Sequence, residues 1–136
     1  MAKINSRAKG KTAEREVIGE LKRVLPELTD ALERNLEQTR GGGYDIVGLE
    51  GWAPEVKRYA EVKPADTEGF WEQAIIQARK ECLRPALFVR EDRRPWTVRV
   101  RLSDISNDWD PTDELNSTAV ISMESFAKVV RRCNVS

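Results

Sequence analysis

The sequence contains no histidine, and it has only two cysteines in 136 residues. Without an imidazole, the chain cannot carry a Ser-His-Asp triad, a Cys-His pair or a histidine-ligated zinc site. The cysteines, Cys82 and Cys133, are too few for a disulfide framework, and we expect both to be reduced thiols. Any metal ion that the chain binds must therefore be held by carboxylates.

Long apolar segments are also missing. No apolar run reaches 18 residues, which argues against a membrane-spanning helix, and the basic start MAKINSRAKGK lacks the apolar stretch of a secretory signal. We therefore expect a cytoplasmic protein with no membrane contact. A mass of 15.5 kDa is typical of one domain. We expect a single domain over 1–136, with a basic mobile arm at 1–10 and a C-terminal extension at 104–136 whose role the sequence does not indicate.

The charged residues balance overall, with 23 basic and 23 acidic side chains, but they are unevenly distributed. Residues 1–15 carry five basic residues and one acidic residue, and residues 90–101 carry five arginines and two acidic residues. Residues 104–114 carry five acidic residues and no basic one, so we expect acidic surface kept apart from the two basic segments. Clustering of this kind is also typical of an ordinary solvated surface.

The apolar spacing predicts helices in three places. Residues 12–25 repeat apolar side chains with the helical period, residues 70–83 do the same and would bury Cys82, and residues 123–132 form a third helix. The segment 27–40 fits a helix or a short strand equally well. Strands are predicted at 86–90, 96–102 and 118–122, so the fold class is α/β, with a small mixed sheet flanked by helices.

A β-hairpin is predicted near the centre of the chain, with arms at 44–49 and 52–63 and a turn at 50–51. Pro54 marks the second arm as an edge strand or a bulge. If the turn is centred on Glu50, Asp45 lies opposite Glu55 with Cβ atoms roughly 5 Å apart, and Lys57 projects from the same face. Two carboxylates this close repel one another unless a proton or a hard cation such as Mg²⁺ lies between them.

Two observations bear on that cluster. The tripeptide Glu55-Val56-Lys57 is repeated as Glu61-Val62-Lys63, and such short charged patterns are also common on solvated strands. Glu14 falls on the apolar face of the first helix, whereas Glu16 falls on the solvent side. An inward carboxylate needs a basic partner or a shared metal site, although an acid in the first helical turn is also favoured by the helix dipole.

A series of segments, taken in order, matches the pattern of one family. The segments are Lys9–Ile18 (KGKTAEREVI), Arg34, Gly43–Val47 (GYDIV) and Glu55–Lys57 (EVK). Over roughly residues 5–103 this series resembles the Holliday junction resolvase branch of the PD-(D/E)XK nuclease superfamily, which includes small phage-encoded endonucleases. Tyr44 stands where the superfamily name has proline.

The resemblance implies a restriction-endonuclease-like core and hydrolysis of DNA phosphodiester bonds with Mg²⁺, or Mn²⁺ as a substitute. Position by position, Glu14, Asp45 and Glu55 correspond to the metal ligands, and Lys57 to their catalytic partner. Branched or junction DNA and a homodimer are the implied partners. The expected DNA contacts are made by Arg7, Lys9, Lys11, Arg15, Arg34, Arg40, Arg58 and Gln73.

Two alternatives remain open at this point. One is a phage or prophage nuclease that acts on nicked or duplex DNA. The other is a DNA-binding module of the same fold that does not catalyse cleavage.

Overall fold

The structure is a computed structural model that describes residues 6–36 and 43–134, the side chains of residues 6–9 excepted. These residues form three α-helices and six strands, with three strands between successive helices. None of the helices described has the length and apolar character needed to cross a membrane. In chain order the elements are α1 (Ser6–Val24), β1 (Glu33–Arg34), β2 (Ile46–Val47), β3 (Trp52–Tyr59), α2 (Pro64–Lys80), β4 (Arg84–Glu91), β5 (Thr97–Arg101), β6 (Thr118–Ser122) and α3 (Met123–Asn134).

The main sheet has the strand order β3-β4-β5-β6. β3 and β4 are parallel, because α2 carries the chain back between them, and the remaining neighbours are antiparallel. A second sheet contains only β1 and β2. The α/β class with a small mixed sheet flanked by helices is therefore confirmed. β3 lies at one edge of the main sheet, as Pro54 predicts.

Apolar side chains cover both faces of the main sheet. On one face, α1 and α3 pack against the sheet through a cluster that includes Val17, Phe88 and Phe126. On the other face, α2 packs through Trp71 against Leu87. Phe88 and Leu87 are neighbours in β4, and they point to opposite faces because side chains alternate along a strand. The sheet is thus the middle of three layers.

The predicted hairpin does not form a hydrogen-bonded ladder. β2 pairs with β1, and β3 pairs with β4. The reason lies at the outer edge of β3, where Pro54 has no N–H to donate and the Val56 N–H donates to the Asp45 carboxylate at 2.7 Å instead of to a backbone carbonyl. One backbone bond does cross the gap, from the Asp45 N–H to the Pro54 oxygen at 2.8 Å.

The turn between β2 and β3 depends on a glycine. Gly48 has a φ of +98°, and a Cβ at this position would lie 2.0 Å from the carbonyl oxygen of Ala31. No other residue type fits that approach without moving the backbone. The turn after β2 therefore packs closely against the chain that follows α1.

Helices α1 and α2 both begin six residues before their predicted starts, and α2 also ends early. α1 begins at Ser6, so residues 6–10 of the predicted mobile arm are helical. α2 covers Pro64–Lys80 and ends before the predicted residue 83, because the Leu83 N–H bonds back to the Ala78 oxygen at 2.9 Å. Cys82 lies in the resulting turn with a φ of 56°, and it is exposed rather than buried.

The acidic segment 104–114 contacts arginines, so the predicted separation of acidic and basic surface is wrong. Asp104 accepts two hydrogen bonds from Arg101, at 2.8 and 3.0 Å, and Glu114 binds Arg101 at 3.2 Å. The backbone oxygen of Glu114 also accepts the Trp71 indole N–H at 2.8 Å. These contacts tie the C-terminal extension to β5 and to α2.

Phe126 on α3 tests whether the C-terminal extension shares the core of the domain. It is fully buried and meets Trp52 and Phe88 edge to face, with ring centroids 5.1 and 5.3 Å away. We expect Phe126→Ala to lower the free energy of unfolding by about 3–5 kcal/mol in one cooperative transition. Chemical denaturation followed by circular dichroism measures this. Ile76→Ala, at an exposed position on α2, is the control, and a change within about 0.5 kcal/mol is expected there. A separate early transition in Phe126→Ala would contradict a single domain.

Candidate functional site

Two acidic side chains are buried at the outer edge of β3. Asp45 is 8% exposed and Glu55 is 4% exposed. Asp45 enters from the loop before β2, where the Asn35 N–H donates to its backbone oxygen at 2.9 Å, and its carboxylate accepts the Val56 N–H. Glu55 comes from β3 itself. The predicted juxtaposition of the two residues is therefore present, although the hairpin ladder that predicted it is not.

The two carboxyl groups influence each other's ionisation. Burial is the main reason that the pKa of Glu55 rises from 4.5 to about 8, and the nearby charge of Asp45 raises it further. Burial also raises the pKa of Asp45 to about 6, against the lowering effect of the Val56 N–H. A hydrogen bond between the two groups raises the pKa of Glu55 and lowers that of Asp45, so Glu55 holds the shared proton near neutral pH.

Glu14 contributes a third carboxylate from α1. The residue as a whole is 7% exposed, and its charge raises the pKa of both Asp45 and Glu55. The sequence left open whether Glu14 meets a basic partner or a shared metal site, and the structure shows the basic partner. The Arg34 Nε donates to Glu14 Oε1 at 2.9 Å, in an ion pair whose side chains are 20% and 10% exposed. The helix thus brings Glu14 within electrostatic reach of the pair while an arginine holds it.

Lys57 lies beside the acidic pair on β3. Its charge lowers the pKa of Asp45 and of Glu55. Its Nζ lies 5.3 Å from the centroid of the Phe70 ring on α2, which is within the range of a cation–π contact. The aromatic ring therefore helps to position the ammonium group next to the carboxyl groups.

The second Glu-x-Lys copy has a different environment. Glu61 and Lys63 follow the end of β3, and both are exposed. The Lys63 N–H donates to the Asp66 carboxylate at 3.2 Å, and the Lys63 oxygen accepts the Asp66 and Thr67 N–H groups at the start of α2. This copy precedes and caps helix α2. Unlike Glu55, its glutamate is exposed to solvent.

The predicted DNA contacts fall into three groups. Lys11, Arg15 and Gln73 are exposed. Arg34 and Arg58 are engaged in ion pairs, the first with Glu14 and the second with Glu16 and Asp92. Arg40 and the side chains of Arg7 and Lys9 lie outside the described residues.

The sequence analysis missed the role of Glu16. Its expected place on the solvent side is wrong, because its carboxylate binds Arg58 of β3, binds Arg90 of β4 at 2.6 Å and accepts the Trp96 indole N–H at 3.3 Å. Through these three partners, Glu16 joins α1 to the end of the sheet where Arg58, Arg90 and Trp96 lie. The excess of arginine in β3 and β4 is the signal that could have indicated an acidic partner on the facing helix.

A family model covers almost the whole chain. The family model described as "phage putative PDDEXK endonuclease" matches residues 5–132. The chain belongs to this family, and so to the PD-(D/E)XK superfamily. No curated protein matches the chain, and no solved structure matches it.

Membership of the PD-(D/E)XK superfamily gives the acidic pair a context. These nucleases generally use divalent metals, and a nuclease implies DNA as the substrate. Hard divalent cations take oxygen ligands, and carboxylates at the edge of a strand supply them.

The residues of the site fit a divalent cation in part. Asp45 and Glu55 bring two carboxyl groups together, and Glu55 Oε2 is buried without a hydrogen-bond partner. The raised pKa of Glu55 favours its protonated form, and a cation would satisfy the same oxygen in place of a proton. In the stretches 6–36 and 43–134, however, no three His, Cys, Asp or Glu side chains are arranged to hold a metal together. Glu14 adds charge, and the ion pair with Arg34 holds its Oε1.

The raised pKa values predict how the stability of the metal-free protein depends on pH. A raised pKa in the folded state favours folding at low pH, and that contribution is lost as the pH rises through about 6 for Asp45 and about 8 for Glu55. We expect the free energy of unfolding to fall by about 2–5 kcal/mol between pH 5 and pH 9. Denaturant titrations in EDTA measure it.

Two comparisons separate the acidic pair from the rest of the chain. Glu55→Gln, which cannot ionise, is expected to remove most of the fall in stability above pH 7, whereas Glu81→Gln at an exposed position is expected to leave it unchanged. Equal pH dependence in the wild type and in Glu55→Gln would show that the pair does not carry this effect.

Proposed function

We propose that this protein is a DNA endonuclease that requires Mg²⁺, or Mn²⁺ as a substitute, and that acts on branched or junction DNA. The observation that carries the proposal is the buried Asp45–Glu55 pair beside Lys57 in a chain of the PD-(D/E)XK family. Burial of two carboxyl groups costs stability unless a partner neutralises them, and strongly shifted pKa values are typical of functional sites. A divalent cation held beside the ammonium group would be such a partner.

The chain's own residues would divide the work as follows. Asp45 and Glu55 would hold the divalent ion, which would lower the pKa of a water molecule and stabilise charge on the phosphate. Glu55 would serve as a ligand in its ionised form, because metal binding favours deprotonated carboxylates. Lys57 Nζ, positioned over the Phe70 ring, orients the attacking water and faces the charge that develops on the phosphate.

Arg34 links substrate binding to the third carboxylate. Its guanidinium is bound to Glu14, and a DNA phosphate is a competing anion for the same donors. A phosphate that drew Arg34 away would release Glu14 Oε1, which would then face the ligand set of Asp45 and Glu55. The resemblance to junction resolvases supports this three-acid set. It also supports a homodimer acting in the host cytoplasm, since symmetrical cleavage of a junction needs two sites.

Substitutions at the acidic pair and at the lysine test the reaction. We expect Glu55→Gln and Lys57→Ala each to lower the rate of DNA cleavage by about 100-fold or more, because one removes a ligand charge and the other removes the ammonium group. Labelled junction, flap and linear duplex are incubated with Mg²⁺ or with EDTA, and the products are resolved on gels.

The repeated tripeptide supplies a matched control. Glu61→Gln makes the same chemical change at an exposed residue outside β3, and we expect full activity. Loss of cleavage in Glu61→Gln but not in Glu55→Gln would assign the reaction to the second copy. DNA binding without cleavage by the wild type would indicate a module that does not catalyse.

Exposed cations at the start of α1 are expected to hold the DNA backbone. Lys11 and Arg15 are one helical turn apart, and Arg15 directly follows Glu14. We expect the double substitution Lys11→Gln with Arg15→Gln to weaken binding to all DNA forms. The slope of log affinity against log salt should fall by about 2, since each phosphate contact contributes about 0.9. Fluorescence anisotropy at several salt concentrations measures the slope. The same charge change in Lys128→Gln with Arg132→Gln, on exposed positions of α3, should leave the slope unchanged.

A further inference from the structure

Three side chains form a row on one face of β3. Glu55, Lys57 and Tyr59 are spaced two residues apart, which places them on the same face of a strand at intervals of about 6.6 Å. Phe70 of α2 confirms the shared face for two of them. It lies 5.3 Å from Lys57 Nζ, and its ring is stacked on the Tyr59 ring with centroids 5.4 Å apart and an angle of 6° between the planes.

Tyr59 is exposed where the other large aromatics of the sheet are not. Trp52 and Phe88 are at most 1% exposed, whereas Tyr59 is 42% exposed and belongs to neither apolar cluster. Phe70 is half-buried and packs against the apolar cluster of Trp71 and Leu87, so the Tyr59 ring stacks on a ring that the core holds in place. Because Phe70 covers one face of the Tyr59 ring, the exposed area lies on the remaining face and at the edge.

Two exposed arginines lie in the turn that adjoins the end of β3. The Asp92 backbone N–H donates to the backbone carbonyl oxygen of Tyr59 at 3.0 Å, so the turn after β4 adjoins the end of β3. Arg93 and Arg94 follow in that turn and are exposed. Asp92 itself lies 3.5 Å from Arg58, which balances part of its charge. The turn after β4 thus brings two exposed arginines to the end of the strand that carries Tyr59, one of them 3.7 Å from Glu91.

We propose that the stacked Tyr59–Phe70 pair is a binding site for one unpaired DNA base next to the phosphate that is cut. The inference rests on the proposed function and assigns its substrate class, namely DNA with a base free to leave the helical stack. An aromatic ring stacks with a base only when that base is not covered by its neighbours, as at a flap, a junction centre or a mismatch. With Tyr59 about 6.6 Å beyond Lys57 along the strand, the base lies within one or two nucleotides of the reacting phosphate.

Base stacking on Tyr59 predicts a selective loss. Tyr59→Ala should lower affinity for DNA with an unpaired base by about tenfold and leave affinity for fully paired duplex of the same sequence unchanged. Tyr59→Phe keeps the ring and should keep the preference. Ile76→Ala removes an exposed apolar side chain elsewhere on α2 and should behave as the wild type.

The experiment uses the full chain and 2-aminopurine as the base analogue. Flap and duplex DNAs carry the analogue at the first or the second nucleotide from the branch, and binding is measured in EDTA by anisotropy and by fluorescence of the analogue. We expect quenching with the wild type and Tyr59→Phe on flap DNA, and none with Tyr59→Ala. Thermal unfolding of each variant checks that the fold is retained.

The outcomes separate the inference from the proposed function. Equal quenching and equal preference in the wild type and Tyr59→Ala would overturn the base-binding site, even if the wild type cuts DNA. Metal-dependent cleavage with no preference for an unpaired base would also overturn it and leave the nuclease proposal in place. Failure of the wild type to bind or cut any of these DNAs would overturn both.

Discussion

The hydrogen bond from the Val56 N–H to the Asp45 carboxylate organises both the sheet edge and the acidic site. A backbone donor on an edge strand needs an acceptor, and here a side chain supplies it at 2.7 Å. The same bond holds Asp45 beside Glu55 and lowers the pKa of Asp45 against the effect of burial. As a result, Asp45 ionises more readily than Glu55, and the backbone donor contributes to the difference together with the hydrogen bond between the two carboxyl groups.

α1 serves the site through two acids on opposite sides. Glu14 is directed toward the acidic pair, and Glu16, two residues later, binds Arg58, Arg90 and the indole of Trp96. Residues two apart on a helix are separated by about 200° around its axis, so one turn of helix can meet the site and the sheet end at once. The position of Glu14 relative to β3 therefore depends on the ion pairs of Glu16.

Much of the fold could be predicted from the sequence because its signals are local. The apolar period of α1, the β6 strand at 118–122, and the edge position of β3 marked by Pro54 all follow from residues close together in the chain. The strand partners could not be predicted in the same way. The parallel pairing of β3 with β4 joins residues about 30 apart, and nothing in the turn at 50–51 excludes a simple hairpin. The exposure of Cys82 likewise follows from how α2 ends.

The candidate site shows the same division. Asp45 and Glu55 could be paired from turn spacing alone, since the loop is short enough to bring them together whichever strands pair. The partners of Glu14, Glu16 and Glu114 could not be predicted, because each ion pair joins elements that are distant in sequence. Charge patterns describe how many cations and anions a surface has, and only the fold decides which of them meet.

The interrupted edge of β3 also affects which partners can approach. An exposed edge strand ordinarily attracts another strand, which leads to self-association. Here Pro54 has no N–H, and Asp45 already bonds both the Pro54 oxygen and the Val56 N–H. A second polypeptide strand thus finds little to bond along this margin of the sheet, while a polyanion directed to side chains is not excluded. The feature that prevented a hairpin keeps the margin open to ligands other than protein chains.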